Sequence, residues 1–510
     1  MKKHAQYIII GAGPAGLQLA YFLEKKGRDY LVLDRGEVPG NFFQNNPRHR
    51  KLISINKVYT GKNNPDANFR WDWNSLINDD PDFSFKNYTK SYFPHPKFLV
   101  NYLQDYANHY QLKIQFDTKI NQIRRMENGF ELTDQNHNTY TSQILLVATG
   151  VTKEYKPDIP GFDLVKTYYT HSLNKEEYAN KRVLIIGKGN SAFETADHLT
   201  EHAAAIHVIS PNSVKFAWQT HFVGNLRAVN NNFLDTYQLK SQNTVIDGSI
   251  TNIDMVDGKY VVDIAYSHAK GQTRRAIYDH VISCTGFMFD DSIFAESSKP
   301  ELAINNRFPK QTTEWESVNI KDLYFIGTIM QACDYKKTMS GFIHGFRHNI
   351  RSLSMILDEK YHDLEWDHDT FPVKSENVLQ AVLDSVNNRP GIFLQPGFLC
   401  DVIVIDDENK LAKHYKDIRK DHVPHSFITQ YPHYYTVSLE YGHFEGDPFN
   451  VERDPDPEKG DQAAYLHPII RRFNQGNLVN EHHIQDDLES EWSLPEYVEP
   501  AKKYFQAQIS

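Results

Sequence analysis

Gly11, Gly13 and Gly16 stand in GxGxxG spacing within the string GAGPAG, and Asp34 follows the last of them by eighteen residues. The chemistry this pattern serves is the grip on a dinucleotide. Gly11 permits a tight turn, Gly13 lets the backbone approach a pyrophosphate, and Gly16 lets a helix pack on the preceding strand. The helix start offers free N–H groups and a positive dipole end to the phosphates. Asp34 stands where an acid accepts ribose hydroxyls. Pro14, Ala15 and Arg35 flank these residues and are counted with the site. The elements that must hold them are legible around them. Tyr7–Ile10 reads as a buried strand, Leu17, Ala20, Tyr21 and Leu23 as one helical face, and YLVLD as a second strand.

The pattern recurs. In KRVLIIGKGNSAFETADHLTEHAAAIHVISPN, Arg182–Ile186 is the strand and Gly187, Gly189 and Ala192 give GxGxxA. Asn190 and Ser191 open the helix, with Ser191 and Glu194 predicted as a capping box. AIHVIS is the next strand. Ser210 lies eighteen residues after Ala192, the position that Asp34 holds in the first unit. Without a carboxylate there, nothing repels a 2′-phosphate, which favours NADPH over NADH; Lys215 is the nearest cation. Two such units imply two nucleotides, FAD in the first and a nicotinamide in the second.

Three more segments fit this organisation. ILLVATG, ending at Thr149 and Gly150, and HVISCTGF, with Thr285 and Gly286, are apolar strands closing in a Thr-Gly turn. DLYFIGT, with Gly327, resembles the late strand-plus-glycine motif by which two-domain flavoproteins return to the FAD domain, which implies such a return here. MSGFIHGFRHNIRSLSMIL is expected to start a helix near Gly341 and Phe342, its N-terminal dipole facing the electron-rich pyrimidine end of a reduced flavin. The expected fold class is α/β. Two Rossmann-like domains, the second inserted in the first, carry a small α+β C-terminal domain. The FAD domain is 1–158 plus 318–358, the NAD(P)H domain 159–317, and the accessory domain 359–510. The last is rich in Asp, His and Tyr, with FNVERDPDPEKGDQ as a polar loop and strand-like runs in LCDVIVID and YYTVSLEYG.

Composition narrows the function. The 510 residues carry a formal net charge of -10, which argues against nucleic acid and against a polybasic membrane surface. No apolar run is long enough to span a bilayer, and the stretch before GAGPAG is too short for a signal peptide. Cys284, Cys333 and Cys400 are far apart and no CxxC exists, so neither a disulfide framework nor a dithiol site is indicated. No histidine or cysteine pair has metal spacing, so no metal is expected. A cytoplasmic location is the simplest reading. Against this acidic background, NNPRHRKLISINK stands out. It follows the first unit closely enough to reach the flavin, so Arg48, Arg50 and Lys51 are candidates for the FAD pyrophosphate, the isoalloxazine or the nicotinamide phosphates, or are solvated.

FFQNNPRHRKLISINKVYTG, FRWDWNSLINDDPDFSFKNYTKSYFP and THFVGNLRAVNNNFLDTYQLKS, with the later LEYG and AAYLHPIIRRF, carry a family resemblance. The chain resembles the group B flavin-dependent monooxygenases, and more closely the FAD-dependent oxidoreductase domain-containing proteins, whose animal member is a flavoprotein of ER quality control. The resemblance implies that NADPH reduces FAD, that reduced flavin and O₂ form a C4a-(hydro)peroxide, and that this oxygenates a nucleophilic nitrogen or sulfur, or a carbonyl, of a small molecule. The family fingerprint FxGxxxH falls on VKTYYTH, Val165–His171; the histidine is kept, while valine and threonine replace phenylalanine and glycine. His171 is therefore a candidate at the joint between the domains. The family's flavin-side asparagine aligns with Asn56, whose amide could donate to a bound peroxide. Arg227, in VGNLRAVNN, could hold the nicotinamide, a phosphate or a peroxide anion. Two alternatives stand beside the monooxygenase: an NAD(P)H oxidase or electron-transfer reductase, and a redox-sensing flavoprotein that binds a partner. The C-terminal domain is the expected surface for a homodimer or protein partner.

Overall fold

The computed structural model describes residues 3–239, 242–443, 450–454 and 456–509. Phe449 and Pro455 of the polar loop lie outside them. Three main sheets organise the chain. The first places strands Ile114–Gln115, Tyr30–Leu33, His4–Ile10 and Thr139–Val147 side by side and parallel, with Leu323–Phe325 joining from far along the chain. Its strands are apolar on both faces because both are covered, one by helices Pro14–Lys25 and Ile343–His362 and the other by residues such as Ile123, Phe130, Phe289 and Phe294. Register decides what this sheet does. Ile10 pairs with both Leu33 and Val147, and Val147 with Phe325, so four strands stop at one edge. The turns that begin at Gly11, Asp34, Ala148 and Ile326 therefore open side by side.

The second sheet repeats the scheme between the two visits to the first. Thr244–Val256, Ala205–Ser210, Arg182–Ile186, His280–Ser283 and Lys166–Thr167 run parallel, and Lys259–Tyr266 and Thr273–Tyr278 extend it antiparallel. The helix after its glycine turn spans Asn190–Leu199 with Gly189 as N-cap and no side-chain cap. The predicted Ser191–Glu194 capping box is thus corrected: the box needs its serine outside the helix, and Ser191 is already inside it. The late helix begins at Ile343, with Phe342 as its N-cap, and runs to His362.

The C-terminal region is a six-stranded antiparallel sheet in the order His368–Pro372, Leu411–Arg419, Leu399–Asp406, His433–Glu440, His467–Asn474, Asn477–His483. Alternation along LCDVIVID gives it two apolar faces. Ile403 and Ile405 meet helices Ser375–Asn388 and Pro495–Gln508. Cys400, Val402 and Val404 join the cluster that contains Ile350 and Leu353 of the late helix, and through it the first sheet. A buried ion cluster lies in the same contact. Asp417, fully buried, receives Arg351 and Arg389 at 3.2 Å and His348 at 3.4 Å. Burial would raise this carboxyl, and Arg389 and His348 hold it below the usual range. Removing one partner of such a cluster costs about 3–5 kcal/mol. No helix among the described residues is long and apolar enough to cross a membrane.

Candidate functional site where two nucleotide units meet

A cavity of about 570 Å³ opens along the edge where the four strands of the first sheet stop. Gly11, Gly13, Pro14, Ala15, Asp34, Arg35, Thr149, Gly150, Gly327, Gly341 and Phe342 line it, and so do Asn190 and Ser191 from the second unit. Gly16 lies behind the turn. A Cβ on it would stand 1.9 Å from the Gly11 carbonyl oxygen, so helix and strand approach only because it is glycine. Gly11 itself holds φ +109, a conformation open to glycine. Beside Gly13 no protein atom lies within 4 Å of the Cβ position, which leaves room for a phosphate.

The acid at the end of the second strand has two duties. Asp34 Oδ2 accepts from the Ala12 N–H and Oδ1 from the Gly36 N–H at 2.7 Å, so it clamps the turn it serves. A carboxylate oxygen keeps a further lone pair for a ribose hydroxyl. Two buried polar atoms belonging to cavity residues have no partner in the protein: Thr149 Oγ1 and Asn74 Oδ1. Buried polar groups are ordinarily satisfied, so these are places for a ligand's hydrogen bonds. The open glycine turn, the acid and the two unpartnered atoms fit a flavin dinucleotide.

The basic stretch is divided by the structure. Arg48 turns away from the cavity into the second domain. Its backbone N–H donates to the Tyr168 hydroxyl at 3.1 Å, and its guanidinium to the Tyr168 carbonyl, to His171 Nδ1 at 2.8 Å and to the His171 carbonyl at 2.9 Å. Burial first, and Arg48 second, push His171 down to about 4, so it is a neutral acceptor. Arg48 and His171 thus form an interdomain joint and do not line the cavity. The His49 ring lies 4.5 Å from that of His198, tilted by 44°, in the same joint. Arg50 donates to the Phe43 carbonyl at 3.2 Å, and Lys51 is exposed.

Asn56 is also placed elsewhere. Its Nδ2 donates to the carbonyls of Thr89 at 2.7 Å and Ser91 at 3.4 Å, which ties down its loop outside the cavity lining. The asparagine that lines the cavity is Asn74. It is fully buried, and its Nδ2 is held by the Ile55 carbonyl at 2.9 Å. Its signal in the sequence was the polar residue closing the aromatic string WDWN. Arg227 does not line the cavity: its guanidinium lies 5.1 Å from the ring of Trp73, the residue before Asn74, with Nη1 buried and unpartnered. The Arg227 N–H donates to Asn190 Oδ1 at 3.0 Å, tying this loop to the second glycine turn.

Glu194, one turn into the second helix, lines the cavity as well. It accepts from the Tyr168 hydroxyl, and burial pushes it up to about 7. Gly187, Gly189, Ala192, Ser210, Lys215, Thr285 and Gly286 surround the second turn without lining the cavity. Thr285 donates to the Tyr155 carbonyl at 2.5 Å, fastening the crossing between domains. Ser210 donates to the Asn212 carbonyl at 3.0 Å. Its register partner on the next strand is Asp247, which is ion-paired with Lys188. Sequence spacing did not foresee this carboxylate, because strand pairing supplies it. Lys215 is exposed.

Residues 8–327 match the family model of pyridine nucleotide-disulphide oxidoreductases. The mouse FAD-dependent oxidoreductase domain-containing protein 2 is 33% identical over 97% of this chain and 82% of its own length. The fold is similar to that of bacillithiol disulfide reductase Bdr from Staphylococcus aureus, with TM-score 0.53 at 19% identity over 71% of this chain and 100% of that one. It is also similar to a flavin-containing monooxygenase from Stenotrophomonas maltophilia, with TM-score 0.52 at 18% identity over 69% of this chain and 98% of that one. With one cavity walled by two dinucleotide units, the chain belongs to the pyridine nucleotide-disulphide oxidoreductase family and is a flavoprotein oxidoreductase.

Proposed function

We propose that the chain is an NADPH-dependent FAD monooxygenase that uses O₂ to oxygenate a nucleophilic nitrogen or sulfur, or a carbonyl, of a small molecule, and that it works in the cytoplasm. One observation carries the reading: the helix start of the second unit, Asn190 and Ser191, lines the same cavity as the glycine turn of the first. A hydride donor held by one would meet an acceptor held by the other, which is the positioning such chemistry requires. FAD, when bound, supplies the electron transfer from nicotinamide to O₂.

The remaining roles fall to this chain's own residues. The Gly11–Gly16 turn and Asp34 hold the dinucleotide. The Thr149 hydroxyl would donate to or accept from the bound cofactor, and Asn74 Oδ1 would accept from it. Arg227, over the ring of the neighbouring Trp73, would add a positive charge behind this wall that favours negative charge developing in the cavity. Glu194 is poised near neutrality and can hold or release a proton at its Oε atoms. The apolar walls, among them Leu52, Ile343 and Phe346, exclude water.

The test is anaerobic reduction by NADPH, followed by admission of O₂ with an amine, a thioether or a ketone present. Oxygenated product formed in step with oxygen consumed supports the reading; hydrogen peroxide released stoichiometrically with all three overturns it in favour of an oxidase. The oxidase or electron-transfer reading has its own motive. The Val165–His171 stretch departs from the family fingerprint, and its histidine is engaged by Arg48. The C-terminal sheet remains the proposed surface for a homodimer or protein partner.

A further inference from the structure

A second cavity, of about 440 Å³, lies between the loop and short helix at residues 62–71, helix Ser375–Asn388 and the segment 489–493. It shares no lining residue with the flavin cavity. Its volume falls within the range of small-molecule pockets, about 300–1,000 Å³. Its wall contains a group that asks for a ligand. Arg70 is 2% exposed and donates Nη2 to the Val386 carbonyl at 2.7 Å, yet its Nε has no partner. A charged donor left unmade in a buried place costs more than a neutral one.

Within the cleft the charges of Lys62, Arg70, Asp384 and Glu491 cancel, and the fifth charge, Glu489, is exposed. Lys62 and Glu491 form an ion pair, and Asp384 lies close enough to Arg70 to favour its charged form. Neither an anion nor a cation is called for. Beside the hydroxyls of Ser490 and Ser493, the remaining polar groups include carboxamides and a carboxylate whose hydrogen-bonding capacity is only partly spent. Asp384 Oδ1 accepts from Asn388 Nδ2 at 2.7 Å, which leaves Asp384 Oδ2 and Asn388 Oδ1 as acceptors. Asn387 Oδ1 accepts the Trp492 N–H at 2.7 Å, which leaves Asn387 Nδ2 as a donor. Gln380, exposed on the same helix, offers both. Half-exposed Trp71 adds an aromatic surface.

We propose that this cleft binds a neutral sugar ring. Each hydroxyl of a pyranose both donates and accepts, which matches alternating amide and carboxylate groups. Its apolar C–H face suits an indole. A peptide strand is disfavoured because the walls are helix sides and loops and offer no strand edge for main-chain pairing.

The proposal does not depend on the monooxygenase reading. The test is ligand-observed saturation-transfer NMR on the full chain, with the methyl glycosides of glucose, mannose, galactose and N-acetylglucosamine. Glucuronate, glucosamine and trialanine serve as controls. Saturable transfer to at least one neutral glycoside is expected, with affinity about tenfold lower in Trp71→Ala and also reduced in Gln380→Ala. Gln380 is exposed and its substitution leaves the core intact, so that variant reads binding apart from folding. No transfer to any neutral glycoside overturns the proposal. So does transfer unchanged in both variants, or transfer confined to a charged sugar or the peptide.

Discussion

The two nucleotide units are built alike and differ at the end of their second strands. In the first, Asp34 is part of the turn it serves, with both carboxylate oxygens taken by backbone N–H groups. In the second, Ser210 turns its hydroxyl to Asn212, and negative charge arrives from the neighbouring strand as Asp247, neutralised by Lys188. The first unit therefore couples ligand recognition to the integrity of its loop. The second separates them, placing an ion pair between its glycine turn and a neighbouring strand. A domain that retains its cofactor suits the first arrangement, and one that exchanges it suits the second.

Gly16→Ala should break the first unit. The added Cβ would stand 1.9 Å from a backbone oxygen, and relieving it should cost about 1–3 kcal/mol and misplace the turn. Purified protein is expected to lose its visible flavin absorbance. The second unit already carries alanine, Ala192, at the place of Gly16, so its companion change is Gly187→Ala at the first glycine of the turn, where a Cβ would stand 2.2 Å from the Cys284 carbonyl oxygen. Here flavin should be retained while anaerobic reduction by NADPH slows about a hundredfold, read by stopped-flow absorbance. Equal flavin loss in both variants would dissolve the contrast.

Glu194→Gln tests the boundary between the units. Burial raises this carboxyl from 4.5 to about 7, so the folded chain holds its proton more tightly than the unfolded chain does. Its contribution is full below 4.5 and falls as pH rises to about 7, by at most about 3 kcal/mol. Thermal melts of the native protein should show Tm falling over that window, with a shallower slope in the variant. The smallest effect is expected from Ser210→Asp. A carboxylate at this position should shift the ratio of kcat/KM values toward NADH by about tenfold. An unchanged ratio would assign nucleotide choice to the Lys188–Asp247 pair.

Local spacing carried much of this. Glycines, their flanking strands and the acid at position 34 are short-range features, so the α/β class and the two units were legible without coordinates. Asn56 and Asn74 show where legibility stopped. Both are buried asparagines in loops after the first unit, and family alignment favoured Asn56. Only the path of the chain turns Asn74 into the cavity and spends the Asn56 amide on Thr89 and Ser91. Arg48 is similar: a basic cluster near a phosphate turn suggests phosphate, while the docked second domain offers Tyr168 and His171 first.

The sequence alone determined that two dinucleotide units stand in one chain, that the second interrupts the first, and that a further mixed domain follows. The units and the further domain rest on periodicity and glycine spacing, which act within a few residues, and the interruption on short strand-plus-glycine segments that resemble those of two-domain flavoproteins. Tertiary structure decided that both units open on one cavity, that Glu194 sits buried between them at a value near 7, and that Asp247 reaches the place Ser210 left without charge. Those outcomes depend on strand register and domain docking, which join residues far apart along the chain and leave no local pattern to read.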